Sequence, residues 1–178
     1  MGLTIYSVRN LINLASAITP SYLHSSLVEL AAEGLLIRSA LDNWYINFKK
    51  WSTEFDIHGQ NSQSILATLY YHGISIYLSG IFDYHAQFNS IVTPAISQPV
   101  IQGHVDMILA KTAAAMKTTN LSPLLFFFPL RVAGARVTTI QEAGIILEQL
   151  QEITKRSFPV AETFTEDLNA LWQEKCIC

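Results

Sequence analysis

The chain has 178 residues, half of them hydrophobic and 14% charged, with a formal net charge of −3 when the histidines are neutral. An average soluble domain is about a quarter charged, so this composition describes a core-rich fold, a large apolar cavity or a surface that expects a partner. The eleven Lys and Arg are scattered rather than gathered into a stripe, which excludes the electrostatic footprint of a phosphate-backbone binder.

Residues Leu3 to Ala17 read as a helix, with Val8, Leu11, Ile12 and Ala15 on one face, and it ends at Ile18-Thr19-Pro20. A second helix follows from Ser21 to Trp51. Leu23, Leu27, Leu30, Leu35, Ile37, Leu41, Trp44, Tyr45 and Phe48 keep helical spacing along it, with a break expected near Gly34. Thr53 to Asn61 loses that periodicity and reads as a loop, after which Ser62 or Ser64 is the expected cap of the next helix.

That next helix, Ser64 to Tyr84, is the centre of the chain. It carries no charge before Asp83 and is expected to be buried nearly all round. One narrow polar line, Thr68, His72, Ser75, Ser79 and Asp83, runs along one edge at spacings of four, three, four and four residues. The window is long enough for a minimal membrane span, but it holds His72, Thr68, two serines and two glycines and has no flanking Lys/Arg cluster, so no membrane span is expected.

His85 to Gln98 reads as irregular, and Pro99 opens a helix to about Lys117 with Ile101, Val105, Ile108, Leu109, Ala113 and Met116 inward. Asn120 or Ser122 should cap the run Leu124 to Arg136, in which Pro129 predicts a kink and therefore a gap. Thr139-Ile140-Gln141-Glu142 matches the capping box, opening a helix with Ile140, Ala143, Leu147, Leu150 and Ile153 on one face. A last helix after Ser157-Phe158-Pro159 aligns Val160, Phe164, Leu168, Leu171 and Trp172. The sum is an all-α fold: a single helical-bundle domain over 1–178, of about seven helices around the central apolar one.

No secretory signal or myristoylation pattern opens the chain, and the two cysteines, Cys176 and Cys178, fit neither a prenylation box nor a zinc cluster. The expected location is intracellular, cytoplasmic or nuclear. No metalloprotease, nucleophile-elbow, P-loop or dinucleotide motif is present, so no cofactor is expected. A metal reading of His72, His104 and Asp106 lacks ligand spacing.

Three runs, LYYHGISIYLSGIFDY (Leu69 to Tyr84), TNLSPLLFFFPLRVAGAR (Thr119 to Arg136) and DLNALWQEK (Asp167 to Lys175), resemble the C-terminal part of the fungal-specific transcription factor domain that follows zinc-cluster DNA-binding modules. The resemblance implies a helical regulatory domain, in some members one that senses small molecules. It does not extend to direct nucleic-acid binding, which the family performs through a six-cysteine segment and a basic linker that this sequence does not contain.

A free-standing relative of that domain is expected to bind a hydrophobic small molecule in an interhelical pocket walled by Trp44, Tyr70, Tyr77, Phe126, Phe127 and Trp172, with Thr68, Ser75 and Ser79 as polar contacts. If catalytic, it would be a cofactor-free cyclase or isomerase of secondary metabolism, pericyclase-like as in a Diels–Alder cyclisation. Such an enzyme holds its substrate in a near-attack conformer while His72, Tyr71 or Arg131 polarises it. Asp83 and Arg131 are the candidate charged pair. The alternative is a regulatory or dimerising fragment without catalysis, acting as a homodimer or paired with a transcription factor.

Overall fold

Six α-helices account for most of the described residues, and among these there is no strand. The computed structural model describes residues 20–55, 61–156 and 160–177. In chain order they are α1 (Pro20–Phe55), α2 (Ser62–Asp83), a 3-10 turn at Ala86–Phe88, α3 (Gln98–Thr118), a 3-10 turn at Pro123–Phe126, α4 (Phe127–Gly134), α5 (Ile140–Lys155) and α6 (Val160–Glu174). The all-α class expected from periodicity holds, and six of the about seven expected helices fall among the described residues. The segment expected as the first helix, 3–17, lies outside the described residues.

The contacts divide the chain into two compact units. The first comprises the described residues of Met1–Lys49 and Tyr77–Ile96. Its core is Leu27, Leu30 and Ala31 of α1 against Leu78 and Phe82 of α2 and Phe88 of the 3-10 turn, with Ile37, Ile81 and Ile91 at the margin. The break expected near Gly34 does not occur: α1 runs unbroken through it. A Cβ on Gly34 would stand 2.6 Å from Phe82 Cζ and 2.9 Å from Pro94 Cγ, so glycine is there to let a ring and a proline approach the helix backbone. One turn later Arg38 donates from Nε and Nη2 to the Pro94 carbonyl at 3.3 and 3.2 Å, closing the same contact.

The second unit comprises the described residues of Lys50–Ile76 and Ser97–Cys178. Helix α3 buries Ile101, Val105, Ile108, Leu109, Ala115 and Met116. Polar side chains bind its backbone to α5 and the residue that ends it: Gln149 Nε2 donates to the Leu109 carbonyl at 3.0 Å and Arg156 Nη2 to the Met116 carbonyl at 3.1 Å. The capping box at Thr139 forms as expected, with Glu142 also accepting from Gln102 on α3. Helix α6 is bound to α4 by Trp172, whose Nε1 donates to the Gly134 carbonyl at 2.8 Å.

Three local expectations need correction. Asn61, and neither Ser62 nor Ser64, caps α2: its Oδ1 accepts from the Gln63 amide at 2.9 Å, whereas Ser64 is buried. Pro129 produces no kink in a longer helix. The chain takes a 3-10 turn through Pro123–Phe126 and begins α4 at Phe127, so the proline falls in a first turn where a missing donor costs nothing. The gap expected from that kink loses its cause. Ile140, expected on the inner face of α5, is 70% exposed, and Ile146 takes its place in the core.

Candidate functional site

Most positions of α2 are buried or half-buried, in line with a helix expected to be enclosed nearly all round. Of its five-residue polar line, His72, Ser75 and Ser79 are buried, Thr68 is half-buried and Asp83 exposed, while Tyr70 and Tyr71 are half-buried and Tyr77 is 38% exposed. Small hydroxyl side chains and one imidazole let neighbouring elements come close. A window of this helix is apolar enough and long enough for a membrane span, yet 56% of it is buried in protein, which suits a core helix.

In the second unit the polar line meets α3 at one point. His72 Nδ1 lies 2.6 Å from His104 Nδ1, with ring centroids 4.9 Å apart and planes at 57°. Tyr71 sets its ring edge-on to both, at 5.1 Å from His72 and 5.8 Å from His104. One imidazole therefore donates through Nδ1 and the other accepts. His104 is the partner the sequence reading missed, having been weighed only as a metal ligand. It stands three residues after Ile101 and one before Val105 on the buried face of α3, and that position is the signal that could have found it.

Elsewhere along this stretch the contacts are within α2 or to α4. Thr68 donates to the Ser64 carbonyl at 2.9 Å, a bond within its own helix. Tyr70 lies 5.6 Å from Phe128, and Gly73 admits Phe128 and Pro129 of α4 against the α2 backbone. Phe126 and Trp172 are sealed in the core at 1% and 0% exposure, and Phe127 packs on Phe164 at 5.0 Å. Two of the open surface grooves lie away from this stretch. One is lined from α5 and α6 by Leu147, Gln151, Glu162 and Glu166, the other from α1 by Val28 and Leu35 with Ile91 and Val92, and neither includes an expected pocket residue.

The three candidate catalytic residues of the second unit do not form one cluster. His72 and Tyr71 stand together. Arg131 lies on the surface, where it pairs with Asp167 at 3.5 Å and stacks over Phe164 at 5.1 Å, so the expected Asp83–Arg131 pair is replaced by Arg131–Asp167. Asp83 belongs to the first unit and accepts from Ser79 Oγ at 2.8 Å, while Ser79 in turn accepts the Ile96 amide at 3.1 Å. Trp44 also lies in the first unit, 47% exposed, in a stack with Phe48 (5.4 Å, 6°) and Tyr45. No group of three or more His, Cys, Asp or Glu side chains is placed to hold a metal among the described residues. The imidazole nitrogens are also closer than the roughly 3.3 Å expected of two ligands on one tetrahedral zinc ion.

Known proteins add no identity. The chain matches no family model, no curated protein and no solved structure. The likeness to the fungal regulatory domain thus rests on its residue runs alone.

At the far end of the second unit, Lys175 Nζ donates to the Ala135 carbonyl at 2.7 Å, just beyond α4. Partial burial, and then the nearby Arg136 guanidinium, hold its ammonium below the usual lysine range.

Proposed function

We propose that the chain is a helical regulatory module, of the kind its residue runs resemble, and that it works by pairing with a second copy of itself. One observation carries this reading. Along α1 the positions Leu27, Leu30, Gly34, Ile37, Leu41, Trp44 and Phe48 alternate steps of three and four residues, the period of a helix-pairing seam. The first part of that seam is inside the protein's own core, with Leu27 and Leu30 buried and Ile37 at its margin. The seam then continues past the core at the same period, and Trp44 keeps 47% of its surface open.

Such a seam is self-complementary. An antiparallel second helix centred on Ile46 sets Trp44 of each copy opposite Phe48 of the other, so the rings that stack within one helix become the middle of a two-fold interface. Catalysis has less support, because the imidazole, guanidinium and carboxylate that would share the work already bond protein groups.

Light scattering with native mass spectrometry tests the proposal. The chain should run as a dimer, and Trp44→Glu should make it a monomer with an unchanged helical spectrum. A monomer that carries an apolar ligand would overturn pairing in favour of the interhelical small-molecule site. A dimer indifferent to Trp44→Glu would remove α1 from the interface.

A further inference from the structure

We propose that His72 and His104 form a proton-sensitive latch that holds α2 to α3. The inference is independent of how the chain pairs. At 2.6 Å the two Nδ1 atoms are too close for two bare lone pairs and too close for two N–H bonds, so a single proton lies between them. A pair of this kind takes up one further proton at a nitrogen outside the contact and keeps its bond, now charge-assisted. A second is refused. It would set N–H against N–H and place two positive rings with centroids 4.9 Å apart, in a site where His72 is only 7% exposed.

On α2 the phenol-bearing Tyr71 lies edge-on to both rings. On α3 the exposed Asp106 stands two residues beyond His104, and Gln102 two residues before it. Glu142 of α5 reaches α3 at Gln102 and is held there, its other oxygen accepting the Thr138 and Thr139 amides. Helix α4 offers Phe128 and Pro129 beside Gly73, neither of them charged, while Arg131 is turned to Asp167 on the surface. The half-buried His104 gives the pair its route to water.

The sign of the pH effect follows from counting protons. Below the ordinary histidine range, about 6.5, the unfolded chain binds a proton on each ring and the folded pair binds one between them. The unfolded state then holds one more proton, so stability falls as pH falls, about tenfold in the unfolding constant per pH unit. Acid therefore opens the α2–α3 contact at this point, and neutral pH closes it.

Urea unfolding of the whole chain at a series of pH values, beside His72→Gln, is the test. The variant keeps His104 but removes the second ring and with it the clash of two charges, while the histidines outside the pair contribute equally to both proteins. The wild-type unfolding constant should rise about tenfold more per pH unit below about 6.5 than that of the variant. Equal pH dependence would overturn the latch. Should His72→Gln not fold, imidazole nitrogen resonances of the wild-type protein decide. Two linked titration steps well apart, with one shared low-field proton, support the pair, and two independent rings titrating together refute it.

Discussion

Replacing Gly34 by alanine tests the tightest contact in the first unit. The added Cβ would meet Phe82 Cζ at 2.6 Å and Pro94 Cγ at 2.9 Å, against about 3.5 Å for an ordinary carbon contact, so the ring or the helix must retreat by about 0.9 Å. Neither neighbour yields easily. Phe82 is 2% exposed and lies edge-on to Phe88 at 5.0 Å, while the Pro94 carbonyl is fixed by Arg38. Forcing extra volume into a packed core costs about 1–3 kcal/mol, and with two rigid neighbours the upper part of that range applies. Alanine returns about 1 kcal/mol of helix propensity, leaving a net loss of about 1–2 kcal/mol. For a chain of this size that is a fall of roughly 2–8 °C in Tm. Gly103 supplies the control, because a Cβ there meets nothing within 4 Å, and Gly103→Ala should gain up to about 1 kcal/mol. Urea denaturation followed by helical circular dichroism reads both. If Gly34→Ala gains as much as Gly103→Ala, the close approach of Phe82 and Pro94 to α1 is wrong.

Two further expectations concern the second unit. Trp172→Phe removes the donor to the Gly134 carbonyl and leaves a small cavity beside it, which should cost about 2–3 kcal/mol in the same assay; a loss within about 0.5 kcal/mol would show that the indole nitrogen contributes no buried bond. Lys175 gives up its proton more readily in the folded chain than in the unfolded one, so the unfolded state binds more protons there and stability rises as pH climbs toward the ordinary lysine range, about 10.4. Lys175→Gln should flatten that alkaline rise, and an unchanged slope would contradict the burial of the ammonium.

Much of the fold was legible because it is written at short range. The capping box at Thr139, the apolar faces of α3 and α5, and the seam of α1 through Leu27, Leu30 and Ile37 all follow from spacing within one helix. What spacing does not contain is the neighbour. Gly34 reads as a helix breaker until Phe82 and Pro94 are known to lie on it, and Pro129 reads as a kink until the 3-10 turn before it is seen to absorb the change. The polar line of α2 was legible residue by residue, and so was its place inside the fold, but the groups it meets, His104 and the Ile96 amide, were not, because they lie far along the chain. Arg131 was matched to the wrong carboxylate for the same reason: charge identifies a candidate, and only packing identifies Asp167.

The run Phe126-Phe127-Phe128 straddles the point where the backbone passes from three residues per turn to 3.6. That switch sends three identical neighbours to three destinations: Phe126 into the sealed interior, Phe127 onto Phe164 and Phe128 onto Tyr70. Composition is blind to such a division of labour. Deleting one phenylalanine would leave the stretch as oily as before, yet hand each remaining ring the address of its neighbour, so the chain has less freedom to slip here than its monotony suggests.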